Sequence, residues 1–373
     1  MRNFMTRVCQ AVSLFLLICC CLSLPVFAQD NSPAAQATSQ PSKPMFTVLP
    51  ARIRYDVPLS PSGPLPTWNG SFTYGGSNYT YNMVGTAPST NTSTAIPVYI
   101  IPLKVVINTI FSKVTYDPMH VLSNGKTVVQ NTVTSPIFDS TTTYNQGGID
   151  VGTTQYIDAF QRANFWGTVQ NAPNYHLLLG GPTVLAEQTL SPPFYYGMTG
   201  SEFGFTAGLV DINWFDSQIQ GLITRLGIQP NSFPIFLTYD VYLTQNGQCC
   251  IGGYHSSEGN PGSLQAYAHA TYVDHVGAFS QDVSALSHEV GEWADDPLVV
   301  NSSGNNTPCG ILEVGDPLEN NPNYGAYHYA LHGFTYNLQD LVTLPYFGAP
   351  PNTTVNDWFT FQGESLTVCQ NGS

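Results

Sequence analysis

The chain has 373 residues, of which 9% are charged, and its 24 acidic side chains outnumber its 10 basic ones. The formal net charge is −14 at pH 7, and no Lys or Arg follows Arg225. So acidic a chain repels phosphate backbones and anionic lipid headgroups, which excludes nucleic acid and charged membrane surfaces as expected partners. The length suffices for one large hydrophobic core or two smaller ones.

The first 28 residues have the three parts of a cleavable signal peptide. Arg2 and Arg7 supply a positive start, the stretch 11–24 is apolar, and residues 26–28 place a small residue at the cleavage position. The apolar run is too short for a convincing membrane span. We therefore expect a secreted, extracellular protein, with the periplasm as the alternative, and no membrane attachment after cleavage. Because the leader holds two arginines and no acid, the mature chain has 8 basic and 24 acidic side chains, a net charge of −16.

The cysteines divide into a leader set and a mature set. Four of the eight lie in the leader, where the bulk of Ile18 argues against lipidation of Cys19. The mature protein keeps Cys249, Cys250, Cys309 and Cys369. An even number in an oxidising compartment predicts two disulfides and no free thiol. Adjacent cysteines bond only in an unusual geometry, so we expect Cys249 and Cys250 each to bond to Cys309 or Cys369.

The first part of the mature chain is predicted to be a linker followed by strands. Residues 29–45 are rich in Gln, Ser, Ala and Pro, which is typical of a disordered linker. Residues 46–150 form a β-rich segment, in which β-branched and aromatic residues alternate with Gly, Pro and Asn turns. Its predicted strands are Phe72–Tyr74, Ile96–Ile107 and Lys126–Thr134.

From residue 151 onwards, helical and strand patterns mix. Apolar residues recur at helical spacing in three segments, one stopped by Gly227 and one by Pro297. The predicted helices are Thr153–Thr168, Asp211–Leu226 and Asp282–Asp295. The predicted strands are Phe233–Leu243, Ala266–Val273 and Thr335–Leu338.

The run from Ser287 to Pro297, Ser-His-Glu-Val-Gly-Glu-Trp-Ala-Asp-Asp-Pro, carries the most chemistry. At about 100° per residue on a helix, Glu292 lies about 40° from His288, with Glu289 beside them and apolar residues on the opposite face. Two ligands one turn apart, next to a Glu that can act on a water, are typical of a metallohydrolase helix. We expect His288 and Glu292 to bind metal and Glu289 to be the catalytic base. The alternative is a buried structural network or a solvated acidic face.

Three segments resemble secreted zincin-like proteins: His288–Pro297, Leu312–Asp316 and Cys249–His255. Those proteins carry His-Glu-x-x-Glu, then Thr-Asp-Pro or Thr-Asn-Pro, then Glu-Ile-Gly-Asp; uncharacterised bacterial exported proteins and plant phosphate-induced (Exordium-like) proteins are similar. The resemblance covers about residues 233–340. It implies an α+β fold, with a zincin-like metallopeptidase domain over 151–373 behind the β-rich segment. The family replaces the second histidine of ordinary zinc peptidases with glutamate, so peptidase activity is an inference for the family too.

The resemblance also implies a ligand set. Zinc takes three protein ligands and leaves a position open for water. His288 and Glu292 supply two, and Glu313 is the expected third, with Asp316 and Asp296 as competitors. One histidine and two carboxylates suit Zn²⁺ but also accommodate Mn²⁺, Fe²⁺ or Ca²⁺.

Other histidines have smaller expected roles. His255, His269 and His275 lie on or near the strand before the metal-binding helix. Either His255 or His275 could donate a hydrogen bond to a developing oxyanion, although an ordinary polar contact is the alternative.

Two functions remain open at this point. The first is a secreted metal-dependent hydrolase that cleaves a peptide or protein substrate with a water activated by Glu289. The second is a non-catalytic secreted or wall-associated protein that binds or signals, with a structural metal or none.

Overall fold

In a computed structural model, the structure describes residues 45–50, 52–53, 62–110, 112–201, 204–299, 301, 309–310, 312–319, 325–364 and 366–367. The predicted signal peptide, the predicted linker up to residue 44, and Cys369 lie outside the described residues. Residues 42–373 belong to one compact unit.

The described residues form twenty strands and five α-helices. The strands are β1 Met45–Val48, β2 Arg52–Ile53, β3 Thr67–Tyr74, β4 Ser77–Val84, β5 Ser93–Ile96, β6 Val98–Asn108, β7 Lys113–Tyr116, β8 Thr142–Gln146, β9 Ile149–Thr154, β10 His176–Leu179, β11 Thr183–Val184, β12 Gln188–Leu190, β13 Gly197–Gly200, β14 Ala207–Asp211, β15 Phe233–Tyr239, β16 Val241–Gln245, β17 Gln248–Asn260, β18 Ser263–Tyr272, β19 Ala326–Leu331 and β20 Phe334–Gln339. The helices are α1 Val128–Val133, α2 Tyr156–Asn164, α3 Trp166–Val169, α4 Ile212–Leu226 and α5 Ser284–Asp295.

Twelve strands join in one mixed sheet, whose main path runs β11-β6-β15-β18-β17-β16-β14-β13. Strands β6, β15 and β18 are parallel neighbours, whereas β17 is antiparallel to both β18 and β16. Strands β1 and β2 add to β17, and β7 and β12 add to β6. The sheet therefore combines strands from both sides of residue 150.

Both faces of this sheet are buried, each in its own hydrophobic core. Ile100 and Ile235 point into the core that contains α5, whereas their neighbours Ile101 and Phe236 point into the core that contains α4. A strand with two buried faces has no polar side, which explains the nearly continuous apolar sequence of β6. Helix α5 packs across β17 and β18, and this contact positions the candidate site.

The expected α+β zincin-like fold is wrong. Strand accounts for 41% of the structure and helix for 21%, and the large mixed sheet dominates the molecule. The missed strands have weak sequence signals: β17 contains Gly, Ser and Cys instead of a β-branched run, and its residues from Cys249 to Gly259 are all buried. Sequence alternation cannot reveal a strand that is covered on both faces.

Most of the predicted elements are confirmed. Helix α4 begins after Asp211, whose carboxylate accepts a hydrogen bond from the Trp214 N–H, and it ends at Gly227 in the left-handed conformation. Strands occupy Phe72–Tyr74, most of Ile96–Ile107, and Thr335–Leu338.

The prediction of a strand at Lys126–Thr134 is wrong, because this segment contains α1. Thr127 caps the helix: its hydroxyl accepts from the Gln130 N–H, and the Gln130 side chain accepts from the Thr127 N–H. This capping box outweighs the β propensity of Val128 and Val129, whose side chains the helix buries.

The expected disulfide pairing is also wrong, because Cys249 bonds to Cys250. The register between β16 and β17 shifts at this position, where Leu243 pairs with Ile251 but Thr244 pairs with Cys249. Such an irregularity interrupts the regular alternation of side chains along β17 at the two cysteines. Cys309 is also disulfide-bonded.

Within the part of the chain that the structure describes, every helix is too short or too polar to cross a membrane.

Candidate functional site

Helix α5 carries His288, Glu289 and Glu292, and the packing of its apolar face in the core holds it in place. Leu286, Val290 and Trp293 lie in the core, where the Trp293 ring stacks on Phe233 with 4.0 Å between ring centroids. The opposite side of the helix is buried too, so His288, Glu289 and Glu292 are at most 1% exposed. The helix ends before Pro297, and the Asp296 N–H still bonds to the Glu292 carbonyl.

Strand β17 brings a second histidine to the helix. Tyr254 points to the α4 face of the sheet, where its hydroxyl donates to Asp216 at 2.9 Å. Because side chains alternate along a strand, the next residue, His255, points to the α5 face. Gly253 makes room for this contact, since a Cβ there would lie 2.5 Å from Glu289 Oε1.

The segment 312–319 closes the site from a third side. The Gly315 N–H points to Glu292 Oε1 at 3.4 Å, and a Cβ on Gly315 would lie 2.2 Å from His288 Nδ1. This close approach sets Glu313 and Asp316 on either side of the helix residues. Glu313 is 2% exposed, whereas the side chain of Asp316 is 39% exposed and gives the site its contact with solvent.

Glu292 lies at the centre and belongs to two groups of ligand atoms. In each group, one atom from every residue lies within 4.8 Å of the others: His288 with Glu292 and Asp316, and His255 with Glu292 and Glu313. His288 Nε2 is 2.9 Å from Glu292 Oε1 and 3.4 Å from Asp316 Oδ1. His255 Nδ1 is 3.5 Å from Glu292 Oε2 and 3.4 Å from Glu289 Oε2. We call these six residues the acidic cluster.

The described residues supply few hydrogen-bond and ion-pair partners to the acidic cluster. Four carboxyl groups face two imidazoles, and among the described residues their positive partners are these histidines. Both ring nitrogens of His255 and His288, and both carboxyl oxygens of Glu289 and Glu313, are buried without a hydrogen bond of good geometry to a described residue. Buried polar atoms without such partners are costly, and a bound ion is one of the few explanations for several together.

Burial and mutual contact shift the pKa values of these groups in opposite directions. Burial raises the pKa of Glu289 to about 8 and that of Glu313 well above its usual range. For Glu292, burial also acts to raise the pKa, but the neighbouring His288 and His255 outweigh it and leave the pKa low. Burial lowers the pKa of His255, yet the close carboxylates of Glu289 and Glu292 raise it to about 10. The cluster therefore holds protons that a cation would displace.

The geometry fits a divalent cation. In a tetrahedral shell with bonds near 2.1 Å, ligand atoms lie about 3.4 Å apart. Between candidate ligand atoms, His288 Nε2 to Asp316 Oδ1 at 3.4 Å and His255 Nδ1 to Glu292 Oε2 at 3.5 Å match that spacing, whereas His288 Nε2 to Glu292 Oε1 is closer at 2.9 Å. Mixed imidazole and carboxylate donors suit zinc, manganese or iron.

The structure places the predicted residues as follows. His288 and Glu292 are adjacent, as the helix pattern requires; Asp316 completes their group, and Glu313 reaches Glu292 from the side of His255. Asp296 is not in either group, and its carboxylate accepts from the Asn301 N–H at 3.2 Å, which holds the loop behind the helix.

The two remaining histidines lie elsewhere. His269 pairs with Tyr254 across the sheet and so points to the α4 face, where its Nε2 is 3.0 Å from the Thr238 hydroxyl. His275 is half-exposed beside Asp240 and Asp274.

Sequence reasoning missed His255 as a candidate ligand, because it considered this residue only as an oxyanion donor. The local sequence indicates only that Tyr254 and His255, as neighbours on a strand, point to opposite faces of the sheet. The partner of His255 could not be read from the sequence, since it depends on which helix covers that face of β17.

Comparison with protein-family models, with curated proteins and with solved structures finds no match for the chain.

Proposed function

We propose that the protein is a secreted metal-dependent hydrolase that acts on peptides. One observation carries the proposal, which is the buried cluster of two imidazoles and four carboxyl groups. The candidate ligand atoms of each of its two groups lie close enough together to bind one ion, and most of its ring nitrogens and carboxyl oxygens lack a hydrogen-bond partner among the described residues. The leader pattern, with its positive start and apolar stretch, supports secretion.

His288 and Glu292 would hold the ion, with Asp316 on one side and with His255 and Glu313 on the other. When bound, the ion supplies Lewis acidity, which polarises a carbonyl and makes a water more acidic. Zn²⁺ fits this donor set, and so do Mn²⁺ and Fe²⁺.

Glu289 would move the proton. It accepts a proton from the water whose oxygen bonds to the peptide carbonyl carbon. It then returns that proton to the amine nitrogen as the carbon–nitrogen bond breaks. Burial raises the pKa of Glu289, which makes its carboxylate a stronger base for this transfer.

The proposal is tested by two substitutions with different expected results. Glu289→Gln keeps the size of the side chain and should retain the metal while lowering turnover by about 10²-fold or more. His288→Ala should lose both the metal and the activity. His332→Ala is the control, since this half-exposed histidine pairs with Asp139 outside the cluster.

Metal content measured by elemental analysis and cleavage of a peptide library, across roughly pH 3 to 8, give the two readouts. Stoichiometric metal in a wild type that cleaves nothing would reject the hydrolase. That result would favour the second function, a secreted binding or signalling protein with a structural metal, which the deep burial of His255 and Glu313 also favours.

A further inference from the structure

An N-terminal segment covers the acidic cluster. It consists of β1, Leu49 and β2, and we call it the N-terminal strap. Phe46 is 4% exposed, and its ring lies on the His288 ring with 3.9 Å between centroids and an angle of 31°. The Phe46 N–H donates to Glu319, and its ring also contacts Phe279 at 4.8 Å.

The strap occupies one edge of β17 beyond the end of its pairing with β16. From Gly253 to Asn260, one edge of β17 pairs with β18. On the other edge, the pairing with β16 ends at Ile251. The strap continues from there, with Thr47 opposite Tyr254, Val48 opposite His255, and Arg52 opposite Glu258.

Hydrogen bonds to its backbone help to hold the strap on β17, as they do for an added strand. The Leu49 N–H donates to the His255 carbonyl at 3.2 Å, and the Ser256 hydroxyl donates to the Leu49 carbonyl at 2.8 Å. Side chains alternate along the strap, so Phe46 lies in the core that contains α5 and Leu49 lies in the core that contains α4.

We infer that this edge of β17 is a binding site for an extended peptide, and that the strap is its internal occupant. Backbone pairing along a sheet edge is a general way to bind extended peptides, with pockets for particular side chains giving preference. Here the pocket formed by His288 and Phe279 would accept an aromatic residue, and the bound peptide would pass beside His255. The inference rests on the proposed function, because it names the substrate as an extended peptide with an aromatic residue at this pocket.

The strap would therefore keep the site closed until it is displaced. A tethered segment has an effective concentration in the millimolar range, so a free peptide at micromolar concentration cannot compete with it. Weakening the strap should open the edge.

The test uses a fluorescent peptide with the sequence of residues 42–53, Ser-Lys-Pro-Met-Phe-Thr-Val-Leu-Pro-Ala-Arg-Ile, and the full-length protein. Phe46→Ala removes the ring over His288, and Leu49→Pro removes the hydrogen-bond donor to His255. By fluorescence anisotropy, both variants should bind the peptide at least about tenfold more tightly than wild type. Phe194→Ala, which removes an aromatic ring that is 64% exposed, is the matched control and should bind like wild type.

Equal binding by wild type and by folded strap variants would overturn the inference. Hydrogen exchange of the unmodified protein gives a test that needs no variant: the strap amides should exchange at least about tenfold faster than those shared by β17 and β18. Exchange of the strap only on global unfolding would also overturn it. Peptide hydrolysis is scored separately, so that tighter binding without cleavage upholds the binding site and counts against the hydrolase.

Discussion

His255 and His269 are buried on neighbouring strands, but they face opposite sides of the sheet and their pKa values shift in opposite directions. His255 faces α5 and meets Glu289 and Glu292, which raises its pKa to about 10. His269 faces α4, where its ring packs edge-on against Phe215 at 4.6 Å between centroids. Among the described residues no carboxylate offsets burial there, and burial lowers the pKa of His269 to about 3.

The lowered pKa of His269 predicts a specific dependence of stability on pH. Between pH 6.5, its ordinary pKa, and about pH 3, the unfolded chain binds a proton that the folded chain does not. Acid therefore favours unfolding, and this residue should reduce the free energy of unfolding by about 1.4 kcal/mol per pH unit below pH 6.5. The contribution is fully restored above pH 6.5.

Urea unfolding of wild type and His269→Gln at several pH values should isolate this effect. The variant's stability, relative to wild type, should improve as the pH falls below 6.5. If the unfolding free energies of the two proteins change in parallel with pH from pH 7 to about pH 4, His269 takes up its proton in the folded state and the prediction is wrong.

At the scale of elements, the cluster depends on three segments approaching more closely than side chains normally allow. Gly253 on β17 lies against Glu289, Gly291 on α5 lies against Leu341, and Gly315 lies against His288. A Cβ at Gly253 or Gly315 would push β17 or the segment 312–319 away from α5, and a Cβ at Gly291 would push α5 away from Leu341. The site is thus a property of the packing between elements as much as of the motif on α5.

Gly315→Ala tests this dependence. The backbone at Gly315, with φ −93° and ψ −32°, accepts alanine, so the cost is steric and comes from the 2.2 Å approach of the new Cβ to His288 Nδ1. We expect a loss of about 1–3 kcal/mol in the free energy of unfolding, together with weaker metal binding.

Gly221→Ala is the matched control, because a Cβ there meets nothing within 4 Å. This position lies inside α4, where alanine should stabilise the helix by about 0.5–1 kcal/mol. Full metal affinity in Gly315→Ala would contradict the assigned contact between Gly315 and His288.

For the whole molecule, charge distribution connects stability to metal binding. Ion pairs of the described arginines and lysines lie away from the cluster: Arg52 pairs with Asp216 at 2.7 Å, and Lys104 pairs with Asp117 and Glu187. The four carboxyl groups around His255 and His288 must therefore be neutralised by protons or by a cation. A ligand that binds only the folded state stabilises it by mass action.

We expect Zn²⁺ or Mn²⁺ to raise the melting temperature of metal-free wild type. At a free concentration about 100 times the dissociation constant, the gain is about 2.7 kcal/mol, or several degrees for a protein of this size. The shift should weaken at lower pH, because the ion must displace protons from His255 and His288. Scanning calorimetry with and without chelator measures it, and an equal shift in His288→Ala would place the ion elsewhere.

The sequence by itself determined the elements whose signals are local. The 3.6-residue periodicity and the Gly227 stop predicted α4, and the spacing of His288, Glu289 and Glu292 placed three of the cluster residues on one face of α5. These features depend only on helix geometry, which acts between residues a turn apart.

The tertiary structure alone decided the sheet and the completion of the site. Whether β17 is a strand, whether Cys249 bonds to Cys250, and whether His255 or His269 faces α5 depend on contacts between distant segments. Two buried sheet faces remove the polar alternation from which strands are read, so the sequence of β17 resembles a loop. A side chain's neighbour across the core is set by how the layers pack, and no local pattern encodes that choice.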